Sequence, residues 1–291
     1  MSGFSADWLS MREPFDAAAR ATPLVAELRR HIPRGTSAAP FEVVDLGAGA
    51  GSNLRYLAPR LGGEQQWRLV DHDRALLHAA IVATRAWAAS RSALVSPAGA
   101  TLTLRAADFA CRVSGEPRNL AGDALAGLVL PTGGLVTAAA LLDLVSTPWL
   151  EALAARCETA HAAVCFALTY DGRTVCTPDE PEDAMALDLF NRHQRLDKGF
   201  GAALGPTASR VAEQLLTKVG FRVLTERSDW DVGPQHTAMQ HALLDGWLRA
   251  ALEIAPEHTT PLTAWHRRRC THVDAGRSRL VVGHVDLIGW L

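Results

Sequence analysis

The sequence predicts an α/β chain: a doubly wound, mostly parallel seven-stranded sheet with helices on both faces, an N-terminal helical segment and a helical insertion before the last strand. Three observations predict it. Apolar, β-branched runs alternate with helical periodicities through most of the 291 residues. The first run, Val43-Val44-Asp45-Leu46, breaks into Gly47-Ala48-Gly49-Ala50-Gly51, and a helical pattern of Leu54, Leu57 and Leu61 follows at once. Acidic residues, Asp45, Asp71 and Asp108, stand at the ends of three successive strand patterns.

The length suits one domain, or one domain with an inserted subdomain, with ample chain for a large core. Lys and Arg total 29 against 31 Asp and Glu, a net charge of -2, where a nucleic-acid binder shows a basic excess. The triplet Arg267-Arg268-Arg269 reads as a solvated helix face or a C-terminal helix end, so no nucleic-acid partner is expected. Five cysteines, with no C-x-x-C pair, read as free thiols in a reducing compartment, Cys157 and Cys165 as core residues, and no metal site is expected. Asp7, Arg12, Glu13 and Asp16 interrupt the region where a signal peptide needs an apolar run. The uncharged stretch from Ala124 to Leu142 is broken by Pro131, Gly133 and Gly134, so a cytoplasmic protein without a membrane span is expected.

Residues 1–40 form a helical cap in which Trp8, Leu9, Met11, Phe15, Leu24, Val25 and Leu28 are the apolar members; Pro14 and Pro23 divide it into short helices. After a turn-rich linker comes the glycine stretch. Glycine cannot continue a buried strand, and a loop without Cβ atoms lets a ligand approach the backbone beside the unpaired N–H groups of a helix start, here Ser52-Asn53. The dinucleotide pattern G-x-G-x-x-G fails, because Ser52 stands at its third glycine.

The second strand, Trp67 to Val70, ends at Asp71-His72-Asp73 and leads to a helix over 74–89, which Asp73 is suited to cap. The third, Thr101 to Ala106, alternates and ends at Ala107-Asp108-Phe109; the fourth, Leu135 to Ala140, runs into Leu141-Leu142-Asp143. A helix over 148–160 precedes the fifth strand, Ala163 to Tyr170, which closes a core of residues 41–170. Residues 171–205 leave the strand–helix rhythm and carry Asn191, His193, Gln194, Arg195, Asp197 and Lys198, placed where ligands of such sheets bind. The sixth strand, Phe221 to Thr225, is followed by Asp229-Trp230-Asp231, and helices over 235–254 and 261–272 make an insertion, 233–277, before the strand Leu280 to Val285. That insertion, of roughly forty-five residues, is too long for an ordinary connection. Its Trp and Leu face either builds a pocket or joins two copies in a homodimer.

The pattern Asp45-x-Gly47-x-Gly49-x-Gly51 after an apolar strand, with acidic residues at the next strand ends, resembles the first motif of class I S-adenosylmethionine (SAM) dependent methyltransferases. The resemblance covers Glu42 to Val145 by motif and the rest by strand order. It implies SAM as cofactor and S-adenosylhomocysteine as product. It implies that Asp45, Gly47, Ala48, Gly49, Gly51 and Asn53 surround the amino-acid end, that Asp71 with His72 meets the ribose, and that Asp108 and Phe109 meet the adenine. A basic residue of the N-terminal helices, Arg12 or Arg20, would meet the SAM carboxylate.

The end of the fourth strand would abut the methyl-donor site. Asp143, Tyr170 and His193 are therefore the catalytic candidates, His193 because imidazole titrates near neutrality. Asn191, Lys198 and Trp230 are the substrate-binding candidates, and the polar 191–198 segment points to a small polar acceptor methylated on O or N. The alternatives are a SAM-binding protein without methyl transfer and, less favoured, an RNA or protein methyltransferase. Charge balance opposes the latter, as does Ala138-Ala139-Ala140 where an Asn/Asp-Pro-Pro-Tyr type of motif would stand. A NAD-dependent oxidoreductase is opposed by the glycine spacing.

Overall fold

Alternation along the strands decides the layering. In the computed structural model, which describes residues 5–91, 93–98, 101–121 and 125–291, Val43, Leu135, Ala163 and Cys165 face one apolar layer while Val44, Val136, Val164 and Phe166 face the other. The strands among the described residues are β1 (Phe41–Leu46), β2 (Gly63–Asp71), β3 (Leu94–Ala98), β4 (Thr101–Arg105), β5 (Phe109–Pro117), β6 (Leu135–Ala139), β7 (Ala163–Thr177), β8 (Arg222–Arg227), β9 (Trp230–Val232) and β10 (Arg279–Trp290). The helices are α1 (Ala6–Ala19), α2 (Thr22–Leu28), α3 (Ser52–Leu61), α4 (Arg74–Ala89), α5 (Thr147–Thr159), α6 (Asp183–His193), α7 (Ala208–Lys218), α8 (Thr237–Ile254) and α9 (Thr259–Asp274).

The sheet runs β3-β4-β5-β2-β1-β6-β7-β10-β8, with β9 paired to β10. β5, β2, β1, β6 and β7 are parallel; β10 is antiparallel to β7, and β8 to β10. Helices α2, α3 and α4 pack on one face, and α5 and α7 on the other. This is a Rossmann-like, doubly wound fold. Its strands number ten among the described residues rather than seven, because a hairpin (β3, β4) extends one edge and β9 adds a short pair on the other side.

The third parallel strand is not where alternation places it. Thr101–Arg105 is the outer arm of that hairpin and runs antiparallel to β5; the parallel partner of β2 is Phe109–Pro117. Alternation marks a strand but not its direction. The N-terminal segment also differs: α1 continues through Pro14, because Ser10 and Pro14 both face solvent and water can satisfy the carbonyl that proline leaves unpaired.

β7 and β10 run on past Ala139, the last residue of β6, and this ribbon carries a third apolar core with α6, α8 and α9. The apolar face of α8 (Met239, Leu243, Leu244, Trp247, Ala251) is buried in that core, so it is spent within the chain and not offered to a second copy. The arginine triplet is no solvated patch either: Arg269 is fully buried against Asp183, and Arg268 pairs with Glu180 and Glu182. No helix among the described residues is long and apolar enough to cross a membrane.

Candidate active site

The site grows from the loop between β1 and α3. Gly47, Gly49 and Gly51 adopt φ of 62°, 49° and 78°, a region side chains disfavour, and Gly51 stands as the N-cap of α3. Space is also limiting. A Cβ on Gly49 would lie 3.1 Å from Leu9 of α1, one on Gly51 3.1 Å from Ala80 of α4, and one on Gly47 3.2 Å from Leu141 after β6. Three elements therefore close around a loop that only glycine can form.

At the end of β2, Asp71 accepts the Gly49 amide at 2.8 Å and the Asp73 amide at 2.9 Å, and His72 Nδ1 lies 3.2 Å from its Oδ1. Asp73 caps α4, accepting from Ala75 N at 2.7 Å and Leu76 N at 3.2 Å. The two aspartates so divide loop and helix between them.

Beneath the loop lies a buried polar chain. Asp45 Oδ1 accepts from Asn53 Nδ2 at 2.8 Å, while its Oδ2 is buried with no partner. Burial pushes the Asp45 carboxyl up to about 7, only partly opposed by the Asn53 bond and the Arg20 charge. Asn53 also donates to Thr137 Oγ1 at 3.0 Å and accepts from Arg20 Nη1 at 2.9 Å. Arg20 Nε meets Asp286 at 3.1 Å, and Asp286 accepts the Ala21 and Leu168 amides at 3.0 and 2.8 Å. Above this chain, at the start of α3, sits a cavity of about 150 Å³ lined in part by Asp16, Arg20, Ser52, Asn53, Ala139 and Leu168. Of the two arginines weighed from the sequence, Arg20 lies at this cavity.

Arg12 is not among the lining residues but is bonded to one of them. Its Nε meets Asp16 at 3.0 Å and its guanidinium stands 5.1 Å from the Trp230 ring, whose Nε1 donates to Asp16 at 3.1 Å. His284 packs 4.8 Å from Trp230 and joins Nδ1 to the Val282 carbonyl at 3.0 Å. Burial, helped by the Arg12 charge, lowers its pKa to about 3, so it is neutral. Nothing in its strand pattern marks His284 or Asp286; they are brought in by the return of β10 along β7.

Asp143 occupies a 3₁₀ turn, Leu142–Leu144, just after β6. Its Oδ1 is buried without a partner, and burial raises its carboxyl to about 6 against backbone hydrogen bonds and the charges of Arg12 and Lys198. The Tyr170 hydroxyl donates to Asn191 Oδ1 at 2.8 Å, and Asn191 Nδ2 donates to the Gly172 carbonyl at 3.0 Å; burial raises the Tyr170 pKa. His193 has Glu253 3.0 Å from Nε2 and Lys198 Nζ 3.3 Å from Nδ1, so both ring nitrogens are engaged. Burial lowers the Lys198 pKa. Asn191, His193 and Trp230 thus spend their polar groups within the chain, joining α6 to β7, α6 to α8, and β9 to α1.

Asp108 and Phe109 fall at the other edge of the sheet. The Asp108 carbonyl oxygen accepts the Gly63 amide at 3.0 Å, at the start of β2. Asp71, at the end of β2, is about 26 Å away at ~3.3 Å per residue. The reason is the misplaced strand: the residues that follow β5 at the carboxyl edge are Arg118 and Asn119, and Arg118 N donates to the Asp71 carbonyl at 2.8 Å.

No family model matches the chain, and no curated protein matches it significantly. Solved structures match by shape. A cyclopropane-fatty-acyl-phospholipid synthase-like protein of Lactobacillus casei aligns with TM-score 0.47 and 16% identity over 98% of this chain and 94% of that one. A cyclopropane synthase of Mycobacterium tuberculosis aligns with TM-score 0.45 and 10% identity over 92% and 83%. Phosphoethanolamine N-methyltransferase 2 of Haemonchus contortus, in complex with SAM, aligns with TM-score 0.45 and 13% identity over 100% of this chain and 58% of that one.

Proposed function

We propose that this chain is a SAM-dependent methyltransferase acting on a small-molecule acceptor. One observation carries the reading: a loop of three left-handed glycines, tied by Gly49 to the strand-end carboxylate of Asp71, above the unpartnered Oδ2 of Asp45 and beside Arg20. An amino-acid end, with an ammonium and a carboxylate, suits a site that offers a spare carboxylate oxygen, an arginine and a helix start. Asp45, Gly47, Gly49, Asn53 and Arg20 would hold that end, and Asp71 the ribose.

When bound, SAM supplies a methyl group already activated on a sulfonium. The chain's own work is then to orient the acceptor and exclude water; orientation alone is worth ~7–11 kcal/mol. Asp143 is the proton acceptor we favour. Its Oδ1 has no partner, and a carboxyl titrating at about 6 is a stronger base than an ordinary aspartate yet ionised at neutral pH. Tyr170, fixed by Asn191, and His193, fixed by Glu253, serve as positioning residues for α6, as their committed bonds support.

Calorimetry with SAM, S-adenosylhomocysteine and NAD tests the cofactor class: SAM binding without NAD binding is expected, and NAD binding alone would overturn the reading. A small-molecule screen reading release of S-adenosylhomocysteine then tests transfer. SAM binding with no release for any acceptor would favour a ligand-binding role instead.

A further inference from the structure

The β7 extension and helices α6, α8 and α9 enclose a second cavity, of about 290 Å³, lined by Thr174, Asp179, Asp183, Phe190, Trp247 and Trp265 among others. It is distinct from the glycine loop. Ala167 of β7 pairs with Ala139 at the end of β6, and Thr174 lies about 23 Å further along the ribbon at ~3.3 Å per residue.

The chemistry of the lining is one-sided. The Phe190 ring stands 6.2 Å from that of Trp247 at 56°, so two aromatic rings diverge as adjoining walls, and Trp265 beside the cavity is buried. No Lys, Arg or His is among the lining residues. Asp183 is already neutralised: it accepts Trp265 Nε1 at 2.7 Å and Arg269 Nε at 2.9 Å. Asp179 is exposed and has no charge partner among the described residues. Aromatic faces attract cations through their quadrupole, and an unpaired carboxylate repels anions.

We propose that this cavity binds an organic ammonium ion with an apolar body. The body lies against Trp247, and the charge lies against Phe190 on the side of Asp179. The proposal stands apart from the methyl-transfer reading, since it uses none of the glycine-loop residues.

The test uses the full chain and two probes of similar size and opposite charge, phenyltrimethylammonium and phenylacetate, read by calorimetry and by tryptophan emission. The ammonium is expected to bind at least about tenfold more tightly and to perturb the emission. Asp179→Asn, at an exposed position, is expected to weaken it about threefold to fivefold, and Phe190→Leu about tenfold. Equal affinity for the two probes, no binding of the ammonium, or binding unchanged in both variants would overturn the proposal. SAM affinity measured on the same samples reads the other site: its loss with ammonium binding intact would count against the methyltransferase reading alone.

Discussion

Asp71 accepts the amide of Gly49 across 2.8 Å, so the carboxylate that ends one strand also sets the shape of the loop that follows its neighbour. A charge-assisted bond of this kind contributes about 1.5–3 kcal/mol. Asp71→Asn keeps the size but removes the charge. It is expected to weaken SAM binding about tenfold to a hundredfold while lowering thermal stability by only a few degrees. Calorimetry and a thermal scan on the same variant separate the two; unchanged affinity would remove Asp71 from the cofactor site.

Asp45 carries a pH signature. Its folded pKa, about 7, lies above the ordinary 3.8, so the folded state holds a proton that the unfolded state releases. Stability from this group is therefore complete below about 4 and falls as pH rises to about 7, by ~4 kcal/mol at most. Asp45→Asn is expected to flatten that fall. Urea titrations across this range check it, and parallel slopes for the two proteins would refute the assignment.

Breaking the Arg20–Asp286 pair strands a buried guanidinium that otherwise meets Asp286 at 3.1 Å. Asp286→Ala also frees the amides of Ala21 and Leu168. A loss of about 3–5 kcal/mol is expected. Hydrogen exchange is expected to show α1 and α2 as the first elements to loosen, and uniform protection across the chain would speak against a local anchor.

If Asp143 accepts the proton in transfer, the rate follows its ionised fraction, rising through about pH 6 and level above it. Asp143→Asn is expected to lower the maximal rate about a hundredfold or more and to abolish that acidic limb, with SAM affinity retained. A variant that is slow but keeps the limb would assign the limb to another group.

Local chemistry is enough to specify the β1–loop–α3 unit, the strand-end position of Asp71 and the two-faced sheet. Each follows from local chemistry: three glycines where no side chain fits, an acid ending an apolar run, and alternation that faces two layers. Tertiary structure decided the rest. Alternation cannot state strand direction, so it put Asp108 at a carboxyl edge where the chain folds a hairpin. Nor can spacing say which arginine lines the cavity at the start of α3; Arg20 does so, held by Asp286, far away in sequence. The polar run 191–198 reads as a binding surface, yet its Asn191 and His193 are spent on Tyr170, Gly172 and Glu253, partners that only the folded chain brings within hydrogen-bond distance.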